Sequence, residues 1–306
     1  MHVAIVGAGG IGGLLAVRLH EAGTRVSVLA RGAHLAAIRA GGLRLKDGDG
    51  ETVARVAATD RAEEIGPADL VVIAVKMQSM AGAIESARPL MGPESRAVPF
   101  QNGADAPAML AEAFGEDRAW IGVAQVFANI TAPGEVSLFS PFARFAMGRM
   151  DGGQDDPKVA AARKAFAAAG VEAPASEDVR VDLWMKYLLF NAVSGATAVA
   201  RCRMGEVRAH PELWAFWRAL VAETAAVARA EGVPIPADAE ARVVALGEGV
   251  PAELRASTAH DLEGGRPLEV DFIAGSVVRR GAALGVPTPA SAAVTAALAP
   301  WKAGRG

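Results

Sequence analysis

The sequence predicts an α/β protein in which a doubly wound parallel sheet is followed by an all-α C-terminal part. Three observations predict this fold class. Apolar strand-like runs alternate with helical segments in the first half, a glycine-rich turn follows the first run, and only helical patterns follow Asp178. Alternating strands and helices are typical of a parallel sheet covered on both faces. We expect one domain at residues 1–175 and a second at residues 176–306.

The elements of the first half follow from apolar patterning. Strands at residues 3–6 and 25–29 flank a helix at 11–22, and the run at 70–75 is apolar throughout, as in a strand buried on both faces. Further strands are predicted at 97–100, 120–130, 134–139 and 143–147, the last three extending the sheet, with a helix at 158–169 and a short strand at 170–173.

Helix boundaries are marked in the second half. One pattern has Pro211 near its start and Gly232 at its end, and another ends at Gly285. Proline at the first turn and glycine after the last turn are preferred at these positions. From Asp178 onward the sequence therefore predicts helices alone.

Composition bounds the function. The 306 residues are 52% hydrophobic and carry a formal net charge of -3, which gives no general drive toward nucleic acid. Cys202 is the single cysteine, so no intrachain disulfide can form and a reducing compartment fits. The sequence shows no basic leader and no apolar run of about 20 residues. We therefore expect a cytoplasmic protein that does not span or bind a membrane. No metal site is predicted.

A glycine motif follows the first strand. Gly7, Gly9 and Gly12 form G-x-G-x-x-G at the start of a helix. The first glycine allows a tight turn, the second lets a pyrophosphate approach the backbone, and the third lets helix and strand pack closely. The alternative is a tight turn without a ligand. We expect a Rossmann-type dinucleotide site, its loop formed by Gly7, Ala8, Gly9, Gly10, Ile11 and Gly12.

The end of the second strand indicates which dinucleotide binds. Residues 24–46 contain no Asp or Glu, and the strand ends at Arg31. A carboxylate there favours a free ribose 2′-hydroxyl, whereas an arginine accommodates a 2′-phosphate. The sequence therefore predicts NADP(H), with Arg31 on the phosphate, unless Arg31 is only a solvated surface charge.

Lys76 and Asn102 each follow a predicted strand. Ligands of open α/β sheets bind at the carboxyl ends of the strands, so both side chains are candidates for binding cofactor or substrate. A surface lysine and a turn-forming Asn-Gly pair are equally good explanations.

Lys186 lies in an apolar helical stretch, LWMKYLLFNAVSG. Burial lowers the pKa of a lysine and prepares it for proton transfer. Ser194, just over two helical turns further on, lies on roughly the same side and is a candidate for binding the substrate. From the residues alone, a lysine that extends to solvent from an apolar helix is the stronger alternative.

These motifs together resemble the ketopantoate reductases (2-dehydropantoate 2-reductases), relatives of 6-phosphogluconate dehydrogenase. The resemblance covers almost the whole chain and rests on GAGGIG, LAR, VK at 75–76, QNG at 101–103, LWMK, SGATAV, ASTAHDLEGGRPLEVD and LGVPTP. It implies NADPH-dependent reduction of a 2-oxo acid to a 2-hydroxy acid, 2-dehydropantoate to pantoate in pantothenate biosynthesis. A homodimer is compatible with it, and the cleft between the domains is the expected site.

The resemblance also implies residue roles. Lys186 donates the proton, Asn102 touches cofactor and substrate, and Ser257 binds the substrate. Glu269 contacts the cofactor and organises the site, and Lys76 lies near the nicotinamide.

Three departures leave the natural substrate open. Phe190, Ser194 and Leu254 stand where the family usually has asparagines that grip the polar end of ketopantoate. The pocket is therefore expected to be less polar. Two alternatives remain: a paralogous reductase of another carbonyl or imine, and an NADPH sensor without turnover.

Overall fold

The computed structural model describes residues 1–48 and 50–305. The chain divides into two compact units. Unit 1 comprises Met1–Gln101 and Ala106–Arg180, and unit 2 comprises Asn102–Asp105 together with the chain from Val181 onward. The division at residue 175 remains a prediction about the domains.

The elements as far as residue 168 mix strands and helices. In chain order they are β1 (His2–Val6), α1 (Gly10–Glu21), β2 (Arg25–Leu29), α2 (Gly32–Gly41), β3 (Leu43–Asp47), β4 (Gly50–Ala54), β5 (Ala57–Thr59), β6 (Leu70–Ile73), α3 (Met80–Ala87), β7 (Arg96–Pro99), α4 (Asp105–Phe114), β8 (Trp120–Gln125), β9 (Ala128–Ala132), β10 (Glu135–Leu138), β11 (Arg144–Arg149) and α5 (Pro157–Ala168).

The main sheet has five parallel strands in the order β5-β2-β1-β6-β7. All residues of β1 and β6 are buried, because helices cover a parallel sheet on both faces. Leu14 and Leu15 of α1 are fully buried in the same core as Ile5. The predicted Rossmann-type sheet is confirmed.

The prediction that the later strands extend this sheet is wrong. Strands β9 and β10 form a second sheet in the order β4-β3-β10-β9, and β8 pairs with β11. An isolated parallel bridge joins Ala97 of β7 to Ala119, the residue before β8. Gly10 and Gly13 explain the arrangement: a Cβ at Gly10 would overlap the Ala128 carbonyl oxygen, and one at Gly13 would lie 2.6 Å from Val136. Strands β9 and β10 therefore pack directly on the backbone of α1.

Two further expectations differ from the structure. The predicted strand at 120–130 is two strands, β8 and β9, and the predicted strand at 170–173 is wrong because only Glu172 forms a bridge, to Arg144. Strands β3, β4 and β5 are not predicted by the apolar pattern of the sequence. These strands are short, and alternate residues of β3 are exposed, so their apolar signal is weak.

From α6 onward the chain is helical, as predicted. The helices are α6 (Val179–Ala200), α7 (Met204–Ala209), α8 (Pro211–Ala230), α9 (Ala239–Gly249), α10 (Ser257–Glu263), α11 (Ala274–Leu284) and α12 (Pro289–Leu298). Most of α6 is buried, consistent with its apolar sequence. Across residues 1–48 and 50–305, none of the helices combines the length and the apolar character needed to cross a bilayer.

Candidate active site

The glycine-rich loop joins β1 to α1. Gly7 turns the chain with a φ of +97°, a conformation that glycine adopts without strain, and its N–H donates to the Leu29 carbonyl over 3.0 Å. Gly9 is the extended N-cap of α1, and the first turn of the helix carries no acidic residue. The first N–H groups of a helix lack partners within the helix, so this end of α1 has the donors and the dipole that an anion requires.

The glycines of the loop differ in how crowded they are. A Cβ at Gly12 would overlap the Gly7 carbonyl oxygen, because α1 packs directly on the turn. A Cβ at Gly9 would have no neighbour nearer than the Ala74 carbonyl oxygen, at 3.8 Å. Gly9 therefore presents an open backbone surface, which is where a pyrophosphate could approach.

His34 holds this loop in place. Its Nδ1 accepts a 3.0 Å hydrogen bond from the Gly134 N–H, so Nε2 carries the hydrogen and donates to the Ala8 carbonyl over 2.8 Å. Burial lowers the pKa of His34, and the bond to Ala8 partly opposes this. The neutral imidazole thus ties the glycine-rich loop to the turn between β9 and β10.

Arg31 is the N-cap of α2, just beyond β2. It is exposed, and its guanidinium has no side-chain partner in the part of the chain that the structure describes. Three other basic residues of this region pair with carboxylates: Arg39 with Asp60, Arg44 with Glu51, and Lys46 with Glu135. Because no carboxylate of the described residues neutralises its charge, Arg31 is better suited than these three residues to bind a 2′-phosphate at the carboxyl end of β2.

Lys76 is exposed and lies three residues beyond β6. The buried amide of Gln101 fixes this edge of the sheet, since its Nε2 donates to the carbonyls of Ile73 and Val75, each over 3.1 Å. Gln101 thus positions the backbone that leads to Lys76.

In unit 2, Lys186 of α6 meets Asn102. The Lys186 Nζ donates to the Asn102 Oδ1 over 2.9 Å and lies 5.8 Å from the centroid of the Phe190 ring, within cation–π range. Burial lowers the pKa of Lys186 to about 8, while the negative charge of Glu269 opposes this shift. Lys186 is thus an oriented ammonium group that can release its proton near neutral pH.

The segment that carries Asn102 is held on the C-terminal helices. Asp105 accepts hydrogen bonds from the Ser276 hydroxyl over 2.6 Å and from the Arg280 guanidinium over 3.0 Å. A Cβ at Gly103 would lie 2.5 Å from the Phe272 carbonyl oxygen, and the φ of Gly103 is +90°. This close approach requires glycine and fixes the position of Asn102 within unit 2.

The two candidate serines differ in exposure. Ser194 is 3% exposed, and its hydroxyl bonds that of Thr258 over 2.7 Å. Ser257, the first residue of α10, is exposed and has no side-chain hydrogen bond with the described residues. Leu254 is 38% exposed just before α10. The structure brings Lys186, Asn102 and Glu269 together, while the Ser194 hydroxyl is occupied by Thr258.

His34, Gln101 and Asp105 support the site and are not among the residues predicted from the sequence. Gln101 lies inside the QNG triplet, which could have singled it out, whereas a histidine inside α2 gives no local signal. The partner of His34 at Gly134 is 100 residues away. Only the tertiary fold identifies such a contact.

Two family models match most of the chain. A family model of ketopantoate reductase PanE/ApbA matches residues 3–152, and the model of the C-terminal part of the same family matches residues 178–302. The chain belongs to the ketopantoate reductase family. It is an oxidoreductase of the ketopantoate reductase type, a class that acts on CH–OH groups and generally uses NADPH.

Alignments with similar ketopantoate reductases cover nearly the whole chain. The 2-dehydropantoate 2-reductase of Mesorhizobium japonicum is 32% identical, covering 97% of this chain and 96% of its own. The crystal structure of a PanE/ApbA family ketopantoate reductase from Ralstonia eutropha JMP134 has a TM-score of 0.88 at 31% identity. The match covers 99% of this chain and 98% of the other. The crystal structure of a 2-dehydropantoate 2-reductase from Geobacter metallireducens GS-15 has a TM-score of 0.90 at 27% identity. This match covers 98% of this chain and 99% of the other.

Proposed function

We propose that this chain catalyses the NADPH-dependent reduction of a 2-oxo acid to a 2-hydroxy acid, with 2-dehydropantoate, reduced to pantoate, as the first substrate to test. The observation that carries the proposal is the hydrogen bond from Lys186 to Asn102. It holds an ammonium group of lowered pKa at a fixed position, as a proton donor requires.

The loop and Arg31 fit the cofactor. The open backbone at Gly9 and the N-terminus of α1 suit a pyrophosphate, and the exposed Arg31 suits a 2′-phosphate. When bound, NADPH supplies the hydride that adds to the carbonyl carbon of the substrate. We assign further cofactor contacts to Lys76, Asn102 and Glu269, at the positions that match the family motifs.

Lys186 completes the reduction. As the carbon–oxygen π pair moves onto oxygen, the Nζ of Lys186 donates a proton to that oxygen, giving the hydroxyl and a neutral amine that regains a proton from water. Asn102 accepts one N–H of the ammonium and so orients the others, and the charge of Glu269 favours the protonated form at neutral pH. The positive charge also stabilises the negative charge that develops on oxygen.

We assign the substrate contact to Ser257. Its hydroxyl is exposed at the start of α10, whereas that of Ser194 is bonded to Thr258 and supports the same helix from α6. Ser194 therefore contributes by fixing Ser257.

The test is NADPH oxidation, followed by absorbance, with 2-dehydropantoate and a panel of other 2-oxo acids. Lys186→Ala should lower kcat by about 100- to 10,000-fold, the usual contribution of a general acid. The matched control is Lys164→Ala, which removes an exposed lysine of α5 and should leave turnover unchanged. Tight NADPH binding without turnover of any panel member would contradict the proposal and favour an NADPH sensor.

A further inference from the structure

One face of α6 carries the proposed proton donor beside an aromatic ring. Lys186, Phe190 and Ser194 follow one another at four-residue spacing, so their side chains lie on successive turns of the same face. Lys186 and Phe190 are partly exposed, and the Nζ lies 5.8 Å from the ring centroid. The surface next to the proton donor is therefore aromatic.

This geometry places the ring near the substrate chain. A carbonyl oxygen that takes a proton from Nζ must lie within about 3 Å of it. Carbon atoms attached to that carbonyl can then reach the Phe190 ring at about 3.5–4.0 Å, the ordinary contact distance between carbon atoms. The side chain of a 2-oxo acid that is oriented for proton transfer can thus pack on Phe190.

The Phe190 ring itself offers no compensation for a polar substrate side chain that packs on it. A phenyl ring provides neither a hydrogen-bond donor nor a conventional acceptor. The Ser194 hydroxyl, one turn further along, is buried and hydrogen-bonded to Thr258. A hydroxyl group held here loses hydrogen bonds to water without regaining them, which is unfavourable.

We propose that Phe190 determines substrate preference, so that the enzyme reduces 2-oxo acids with a compact, branched, all-carbon side chain in preference to the hydroxylated 2-dehydropantoate. The inference rests on the proposed function, because it assumes that Lys186 protonates the substrate carbonyl. A hydrophobic site discriminates against an added hydroxyl by about 100-fold at most. We expect a preference of about 10- to 100-fold.

A pair of substrates that differs by one oxygen atom tests this directly. 2-Dehydropantoate is 4-hydroxy-3,3-dimethyl-2-oxobutanoate, and 3,3-dimethyl-2-oxobutanoate has the same skeleton without the hydroxyl. The measurement is the ratio of their kcat/KM values with NADPH. The wild type should favour the compound without the hydroxyl, and Phe190→Asn should shift the ratio at least 10-fold toward 2-dehydropantoate, because the amide can bond the hydroxyl.

Two further variants define the cause. Phe190→Leu keeps an apolar surface and should keep the preference even if kcat falls, which separates polarity from loss of the ring. Leu246→Asn makes a similar apolar-to-polar change at an exposed position of α9 and should leave the ratio unchanged. Thermal unfolding of each variant checks that it folds.

The outcomes separate this inference from the proposed function. If the wild type reduces both compounds without preference, prefers 2-dehydropantoate, or keeps its ratio in Phe190→Asn, the inference is wrong and the reductase activity stands. If the wild type reduces neither compound nor any other 2-oxo acid, both fail.

Discussion

The side chains of Asn102 and Lys186, 84 residues apart in the chain, are joined by a hydrogen bond of 2.9 Å. Asn102 lies three residues beyond β7 of the parallel sheet, and Lys186 lies in α6, the first helix of the C-terminal region. Neither residue is a strong catalytic candidate from the sequence alone, but the contact identifies the two as one candidate catalytic pair. It also explains why Lys186 is oriented inside an apolar helix instead of extending freely to solvent.

The pKa of Lys186 predicts the pH dependence of the reaction. Reduction requires the protonated amine, so kcat/KM for reduction should fall as the pH rises through about 8, whereas oxidation of the 2-hydroxy acid should rise. Glu269→Gln removes a charge that raises this pKa, so the midpoint should move to lower pH. Glu263→Gln, at an exposed carboxylate of α10, is the control. A midpoint that stays fixed or moves upward in Glu269→Gln would contradict the assignment.

Arg31 should decide between the two nicotinamide dinucleotides. A charge-assisted hydrogen bond contributes about 1.5–3 kcal/mol, so Arg31→Ala should weaken NADPH binding by about 10- to 100-fold. NADH lacks the 2′-phosphate, and its affinity should change little. Both dissociation constants can be measured by fluorescence titration, with Arg61→Ala, an exposed arginine paired with Glu64, as the control. Equal losses for the two cofactors would rule out Arg31 as the phosphate ligand.

Gly9 and Gly10 should respond differently to the same added methyl group. Gly10→Ala forces a Cβ onto the Ala128 carbonyl, and overpacking of this kind costs about 1–3 kcal/mol of the free energy of unfolding. Gly9→Ala meets nothing within 3.8 Å, so the fold should tolerate it while NADPH binding falls, because the methyl group stands where the pyrophosphate approaches. Thermal unfolding and NADPH titration distinguish the two effects. Unchanged NADPH affinity in Gly9→Ala would argue against a pyrophosphate at this surface.

His34, which holds the glycine-rich loop, should make the stability of the folded protein depend on pH. Its pKa is lowered in the folded protein from the ordinary value of 6.5, so the unfolded state binds the proton more tightly. Its contribution to stability is present above pH 6.5 and is lost as the pH falls below that value. His34→Leu removes both ring hydrogen bonds, so it should lower stability by about 1–3 kcal/mol and raise the KM for NADPH.

The pH dependence of the melting temperature tests whether His34 is the titrating group. Melting temperatures measured between pH 7.5 and about pH 5 should show a smaller acid loss in His34→Leu than in the wild type. His260→Leu, at an exposed histidine of α10, is the matched substitution for comparison. Parallel slopes in His34→Leu and the wild type would mean that His34 is not the titrating group.

The sequence by itself determined the parallel sheet, the glycine-rich turn and the helical C-terminal region. These features depend on local patterns: apolar runs define β1 and β6, Gly7 supplies a positive φ, and apolar periodicity defines α6. Such patterns span a few residues, so a single sequence displays them.

Only the tertiary structure decided which distant residues meet. It separated β9 and β10 from the main sheet, because Gly10 and Gly13 let those strands pack on the backbone of α1. It placed His34 between Ala8 and Gly134 and left Ser194 bonded to Thr258. Each of these outcomes depends on close approach between segments far apart in the chain, and no local periodicity encodes such an approach.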